Sequence, residues 1–337
     1  MKFLWIFFFS FFGVLQATTI PEKVLICGVG KNVEKAVPNT IRSATELGSH
    51  FADYRIIVYE NNSSDQTKKL FQDWAKKDPH FIFLSEHLSK KKLKKQLSMG
   101  RINRTECIAR ARNIVLDLVF KKKFDDYKYV VWADLDFLDR WDIESIVDTI
   151  LHPEQEWDAV FAYGSYDLFA LRSPEWPIGF ELIGPYYWSH LDVIWKEFVL
   201  DKKGPWKKVY SAFGGLGIYK RDAMKGCCYS GVVTPDQEKV TIEWLAKARE
   251  KKNVPFLKEY EENLLKYPSI ELTGKILANR DAYPPDLGLR LVGGKITWFS
   301  CSQGATLPWT CEHIPLHASM ILRGRDRLFI NPKIRCP

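Results

Sequence analysis

The sequence of 337 residues is short of several features that would assign it to a familiar class. It has no zinc-ligand spacing, no RNA-binding signature and no basic stripe broken by stacking aromatics, so nucleic acid is not expected as a partner. Internal repeats and long low-complexity linkers are absent. Beyond the amino terminus, no stretch is apolar enough to span a bilayer, which takes about 20 residues. Cysteine is sparse and odd in number: Cys27, Cys107, Cys227, Cys228, Cys301, Cys311 and Cys336. At least one is therefore unpaired in a monomer. Cys27 in an apolar strand and Cys107 in a helical stretch read as plain buried residues. Cys301 and Cys311 flank a short loop and are placed for a disulfide in an oxidising compartment.

What is present is a chain 46% hydrophobic, enough to bury a substantial core in one large domain or two closely merged ones. Net charge is a mild +8. Part of that surplus is the run "SKKKLKKQL" at 89–97. It reads as a solvated face, with a phosphate-rich partner or a membrane surface touching the 90–95 lysines as the alternative. The opening "MKFLWIFFFSFFGVLQATTIPEK" has Lys2 ahead of an apolar stretch from Phe3 to Leu15. Residues 1–20 are expected to be a signal peptide, cut after Ala17, or else a short signal anchor. Either places the body in the secretory pathway, whether secreted, periplasmic or in the Golgi or ER lumen.

Strand and helix patterns alternate through the first half. "KVLICGVG" at 23–30 is an apolar strand running into glycines, followed by a helix near 38–48. "YRIIVYE" at 54–60 is a second strand, and Ser64 or Asp65 is placed to cap the helix "QTKKLFQDWAKK". "FIFL" at 81–84 is a third. Residues 104–121 form an amphipathic helix with Ile108, Ala111, Val115, Leu118 and Val119 on one face. "KYVVWA" is a fourth strand. This alternation predicts an α/β fold with a mostly parallel sheet flanked by helices, whose ligands gather beyond the carboxyl ends of the strands. The second half is less regular, with strands expected at 158–163, 208–212, 215–219 and 295–300, and helices near 240–251 and 312–323. Residues 172–206, rich in Trp, Tyr, Pro and Gly, read as a long ordered insertion.

The chemistry is concentrated in a few motifs. Asp134 and Asp136 follow the fourth strand, and strand alternation puts both carboxylates on one side with Leu135 on the other. Two hard oxygen ligands beside an open loop suit Mg²⁺ or Mn²⁺ shared with a substrate phosphate. A turn or capping role is the structural alternative. A phosphatase or phosphotransferase with Asp134 as nucleophile, and a non-catalytic carbohydrate-binding protein, are the functional ones. In "YENNSSDQT", Glu60, Asn62 and Asp65 either bind a base and ribose or build an Asx-turn and helix cap. Asn61, Asn62 and Asn103 each begin an N-x-S/T sequon, and the first two are expected to be unmodified. In "RTECIARARN", Arg112 is favoured over Arg104 for a diphosphate.

In that order and spacing, "YENNSSDQT", "ARARN" and "VVWADLDF" resemble a GT-A-fold glycosyltransferase, and in particular the fungal capsule-type α-1,3-mannosyltransferase family. "FGGLGIYK" at 213–220 and "CEHIPLH" at 311–317 are similar to that family's later motifs. The resemblance spans roughly residues 23–332. It implies a Rossmann-like GT-A sheet, a divalent metal, a nucleotide-sugar donor (GDP-mannose favoured, a UDP-sugar the alternative), a glycan or glycoconjugate acceptor, and retention of configuration. It divides the domain into a nucleotide-sugar-binding half, 21–140, and an acceptor-binding half, 141–337. Asp134 and Asp136 would hold the metal and donor, with Glu60 and Asp65 near the nucleoside; Gly28 and Asn62, at the same strand ends, are read from their place as further donor-site residues. Gly214 and Gly215 would let backbone approach the sugar. Pro315 belongs in a first helical turn, so Glu312 and His313 sit at a helix mouth. There Glu312 would bind acceptor hydroxyls or act as base, and His313, or failing it His317, would complete the cation shell. Of Trp176, Tyr186, Tyr187, Trp188, Trp195 and Trp206, one or two at most are expected to touch a ligand.

Overall fold

The computed structural model describes residues 20–97, 103–164, 167–183, 187, 191–251, 253–258, 261, 269–271, 286–292, 295–305 and 309–336. The leader at 1–19 lies outside them. Among the described residues no helix is long and apolar enough to cross a membrane.

In chain order the elements are β1 (Ile20–Gly30), α1 (Val37–Ser49), β2 (Phe51–Asn61), α2 (Thr67–Ala75), β3 (Phe81–Glu86), α3 (Lys90–Gln96), α4 (Arg104–Val119), β4 (Tyr127–Ala133), α5 (Ile143–Leu151) and β5 (Ala159–Tyr163). There follow α6 (Phe180–Ile183), α7 (Leu191–Glu197), β6 (Lys207–Lys208), β7 (Leu216–Lys220), α8 (Pro235–Arg249), β8 (Ser269–Glu271), β9 (Asp286–Val292), β10 (Lys295–Ala305), α9 (His313–Leu322) and β11 (Leu328–Arg335).

The described strands form a large sheet in the order β3-β2-β1-β4-β7-β5-β11-β6, and β8-β10-β9 make a small antiparallel one. β3, β2, β1 and β4 run parallel. β7 is antiparallel to both β4 and β5, while β11 is parallel to β5 and β6 antiparallel to β11. This is the mixed, mostly parallel, helix-flanked arrangement that the alternating pattern and the GT-A resemblance imply.

Strand alternation sorts the core into two layers. Leu25, Cys27, Ile57, Val130 and Trp132 face one side, where Val115, Leu116 and Val119 of α4 and Ile314 of α9 cover them. Val24, Ile26, Ile56, Val58 and Val131 face the other, beneath Leu47 of α1, Phe71 of α2 and Ile146 of α5. Both faces are apolar, so the central strands read as continuous hydrophobic runs.

Several expectations need correction. Of the strand expected at 208–212, only Lys207–Lys208 joins the sheet, and Ser211 makes a lone bridge to Arg172. β11 was not anticipated, because Pro332 reads as a break; the register with β5 shifts between Asn331 and Arg335 to accommodate it. Cys311 is a free, buried thiol and not half of a disulfide. The lysine run forms α3, which has no buried residue and is capped by Ser89. That is the solvated reading. The described part of the 172–206 insertion is ordered: Arg172, fully buried, donates from Nε to Glu181 Oε1 at 2.9 Å.

Candidate active site

A cavity of about 690 Å³ opens at the carboxyl ends of the parallel strands. Its floor and walls come from β1 and its following loop, β2, the amino-terminal turns of α4, the segment after β4, the segment after β5, Phe213 and the mouth of α9.

Asp134 begins where β4 ends. Its backbone N–H donates to the Gly215 carbonyl at 2.9 Å, which fixes the strand end against the turn before β7. Leu135 turns inward and is 3% exposed. It fills the space above Gly28, where a Cβ would stand 2.4 Å from Leu135 Cδ2. Gly28 therefore serves packing beneath the site and does not line the cavity. Leu135 nevertheless lines the cavity together with Asp134 and Asp136. Asp134 is half-buried, Asp136 exposed, and both line the cavity.

Arg112 lies on the inner face of α4 and is 3% exposed. Its Nη2 donates to Asp134 Oδ1 at 3.1 Å. Its Nε lies 3.3 Å from Glu312 Oε1, a charge contact without hydrogen-bond alignment. The guanidinium carbon sits 4.7 Å from the centre of the Phe213 ring and 5.4 Å from that of Trp132. Burial works against its charge, but the Glu312 and Asp134 carboxylates outweigh it and raise its affinity for the proton. One buried cation thus joins the end of β4 to the mouth of α9.

Glu312 immediately precedes α9, with Pro315 in the first turn as expected. His313 opens the helix, 1% exposed, its ring stacked on Phe213 at 4.0 Å and edge-on to Tyr229. Neither ring nitrogen has a hydrogen-bond partner among the described residues, and Nε2 stands 3.6 Å from Glu312 Oε1. Burial, reinforced by Arg112, pushes its pKa well below the usual histidine range, so it is neutral. His317 is excluded as a ligand: Nδ1 meets Ser211 Oγ at 2.8 Å and Nε2 meets Tyr219 Oη at 3.0 Å. Among the described residues, no three His, Cys, Asp or Glu side chains converge closely enough to hold an ion by themselves. His313 shares the cavity with the aspartate pair.

The turn after β2 does structural work. Glu60, 1% exposed, accepts from Ser63 N at 2.7 Å and from Ser85 Oγ at 2.9 Å. Asn62 adopts φ +57° and clamps Leu88, donating to its carbonyl and accepting from its N–H. Asp65 accepts from Thr67 N and Glu34 N. These groups bond the backbone and the Ser85 hydroxyl, which is the turn and cap reading, and none of the three side chains lines the cavity. The same segment still reaches the site through Tyr59 and Asn61. Asn103, the third sequon, caps α4 by accepting from Thr105 N at 2.7 Å.

Gly214 and Gly215 have φ of +60° and +85°. A Cβ on Gly214 would stand 2.3 Å from the Ala162 carbonyl oxygen. The close approach expected of this pair is therefore to the protein's own β5 and to Asp134. Phe213, just before them, is the residue that faces the cavity.

Sequence reasoning missed Lys31, Asp167 and Phe169, all in the cavity wall. Asp167 is half-buried four residues past β5. Burial pushes its carboxyl well above the usual range, the Asp134 and Glu312 charges add to this, and Arg112 and Arg104 oppose it. The available signal was the repeat of a theme: an acid shortly after the apolar strand "AVFAY". Of the aromatics singled out, Trp176, Tyr187 and Trp206 are buried packing residues. Trp195 is exposed and does not line the cavity. Tyr186 and Trp188 lie outside the described residues.

No protein-family model and no curated protein matches the sequence. Solved structures do match. The mannosyltransferase PcManGT from Pyrobaculum calidifontis, in complex with GDP-Man and Mn²⁺, is 13% identical over 73% of this chain and 70% of that one, with a TM-score of 0.36. TarS 1–349 of S. aureus, in complex with UDP-GlcNAc, is 14% identical over 61% of this chain and 48% of that one, TM-score 0.34. Glucosyl-3-phosphoglycerate synthase from Mycobacterium tuberculosis, with Mn²⁺, UDP and glucosyl-3-phosphoglycerate, is 14% identical over 60% of this chain and 58% of that one, TM-score 0.32. The chain spans about half the length of the TarS structures it matches. These are likenesses of fold.

Proposed function

We propose that the protein is a metal-dependent glycosyltransferase that moves a hexose from a nucleotide diphosphate-sugar to a hydroxyl of a glycan or glycoconjugate. Mannose from GDP-mannose is the favoured donor, on the strength of the motif resemblance, and a UDP-sugar is the alternative. The observation that carries the reading is the aspartate pair. Asp134 and Asp136 follow a central strand and both line a cavity large enough for a nucleotide-sugar.

The donor set fits a hard divalent cation. Asp136 is exposed and Asp134 half-buried, and so few protein ligands suit Mn²⁺ or Mg²⁺, which keeps waters and phosphate oxygens in its shell. Such an ion, when bound, neutralises charge on the departing diphosphate. The chain's own residues do the rest. Arg112 holds Asp134 in place. Lys31 and Arg104, both exposed in the cavity wall, offer cations to phosphate oxygens. His313, neutral and unsatisfied, offers a ring nitrogen to a ligand atom, and completing the cation shell through a bridging water is one such use. Glu312, 3.3 Å from Arg112 Nε, presents to the acceptor side.

The test is a thermal-shift titration of the full chain with GDP-mannose, UDP-glucose and a CDP-sugar, with and without Mn²⁺. A donor that binds the folded state raises the melting temperature with concentration. One donor should do so only with Mn²⁺ present. Equal stabilisation with and without the ion, or no stabilisation by any donor, refutes the reading. A stable phosphoryl group on Asp134 after incubation with a phosphate ester establishes the phosphotransferase instead.

A further inference from the structure

Between Glu86 and Glu106 the chain carries no acid, and Lys90, Lys91, Lys92, Lys94 and Lys95 all fall in α3. All five are exposed, and among the described residues none of their amino groups meets a carboxylate. At about 3.6 residues per turn, Lys90, Lys91, Lys94 and Lys95 share one face. Lys92 borders that face, and the half-buried Leu93 lies away from it.

This arrangement is unfavourable for the protein alone. Like charges three and four positions apart repel, as Lys91 does with Lys94 and Lys95. Lys90, Lys91 and Lys92 stand in the first turn, at the positive end of the helix dipole, with no acid there to offset them. Packing does not explain the run either, because α3 buries no residue. The run weakens the helix that carries it, so its use lies outside the chain.

The residue types select the partner. Lysine is a compact, hydrated point charge on a flexible stem and lacks the fixed fork with which arginine grips one phosphate or carboxylate. α3 has no arginine, and no Phe, Tyr or Trp lies between His87 and Arg104 for a sugar ring to stack on. An exposed, convex and purely cationic face suits a broad plane of negative charge, to which each lysine near the surface adds its own attraction. α3 also stands beside the candidate active site. Asn62 holds Leu88, two residues before the helix, through bonds of 2.8 and 3.0 Å. The adjoining Asn61 lines the cavity, as does Arg104 at the start of α4.

We propose that α3 docks the protein on an anionic lipid bilayer, with its lysine face on the headgroups and the rim of the cavity beside the surface. The attachment is electrostatic and reversible, since α3 has no apolar face to insert. It stands independently of the glycosyltransferase reading.

The experiment measures co-sedimentation of the full chain with two kinds of vesicle. One is phosphatidylcholine alone, and the other roughly three parts phosphatidylcholine to one of phosphatidylglycerol. Any grip of residues 1–20 on lipid is common to both vesicles and to every variant, so the ratio of affinities reports charge. Wild type is expected to prefer the anionic vesicles and to lose that preference as added salt screens it. The triple variant Lys91→Gln, Lys94→Gln, Lys95→Gln is expected to bind the anionic vesicles about 10- to 100-fold more weakly, with its circular dichroism unchanged. Lys121→Gln, Lys122→Gln, Lys123→Gln removes the same charge from an exposed run beyond the far end of α4 and is expected to stay within about threefold of wild type. The proposal is overturned if wild type shows no preference for the anionic vesicles, if the α3 triple keeps it, or if the 121–123 triple loses as much. Binding to a soluble polyuronate with none to the anionic vesicles overturns it in favour of an acidic glycan.

Discussion

Arg112 Nη2 and Asp134 Oδ1 meet at 3.1 Å, a contact between the buried face of α4 and the end of β4. The same guanidinium reaches Glu312 at 3.3 Å, so three distant segments converge on one charge. Arg112→Ala would leave Asp134 and Glu312 facing each other without a counter-charge. Removing one partner of a buried pair typically costs about 3–5 kcal/mol. A loss of that size is expected in urea unfolding. Arg112→Lys keeps the charge but cannot span both acids, and is expected to recover only part of the loss. Equal stability of all three proteins would show that the triad contributes nothing.

Asp136 is expected to separate function from stability. It is exposed, and its substitution by Ala removes no packing. Unfolding free energy should change by no more than about 0.5 kcal/mol. The Mn²⁺-dependent shift with donor and all turnover should disappear. Activity surviving in Asp136→Ala removes the aspartate pair from the mechanism.

Gly214 and Gly324 form a matched comparison. Both have positive φ, +60° and +73°. A Cβ at 324 meets nothing within 4 Å, whereas one at 214 strikes the Ala162 carbonyl at 2.3 Å. Gly324→Ala carries only the left-handed backbone cost, about 1–2 kcal/mol. Gly214→Ala adds a backbone clash and is expected to lower the melting temperature considerably more. It should also weaken donor binding, because the neighbouring Gly215 carbonyl anchors Asp134. Similar melting temperatures for the two variants would contradict the geometry.

Acid sensitivity is expected from the buried histidines. Burial lowers the His317 pKa from 6.5 to about 3, and His313 moves in the same direction. The unfolded chain therefore binds protons near pH 6.5 that the folded chain refuses until much lower pH. The stabilisation is complete above about 6.5 and is lost progressively as pH falls towards 3. Urea midpoints should decline over that window. His317→Asn should be less stable than wild type at pH 7.5, yet decline less steeply between pH 6.5 and 4.5. A parallel decline would mean that His317 titrates normally.

The sheet was legible because its strands are apolar on both faces and alternate with amphipathic helices, a pattern that survives without any knowledge of contacts. The place of the aspartate pair was legible for a related reason: an apolar strand that ends in acids delivers them to the carboxyl edge of the sheet, where the cavity lies. The roles of Glu60, Asn62 and Asp65 were not. A polar turn presents the same residue types whether its side chains bind a ligand or its own backbone, and only the hydrogen bonds decide. His317 misled similarly, since its hydroxyl partners Ser211 and Tyr219 lie about a hundred residues away. Asp167 escaped notice because it falls in an irregular segment with no period to orient it.

The strand β7 runs against its neighbours, so the chain that leaves β5 after Tyr163, and pairs Lys207–Lys208 with β11 on the way, comes back beside β5 with Gly217 opposite Phe161. Gly164 and Gly214 touch backbone to backbone there, leaving no room for a Cβ on either. Between them the described residues are tied to the rest of the domain as well, Lys207–Lys208 to β11 and Ser211 to His317. Exchanging that stretch would carry away Asp167 and Phe169 of the cavity wall together with the β6–β11 pairing, so the wall and the sheet edge stand or fall as one.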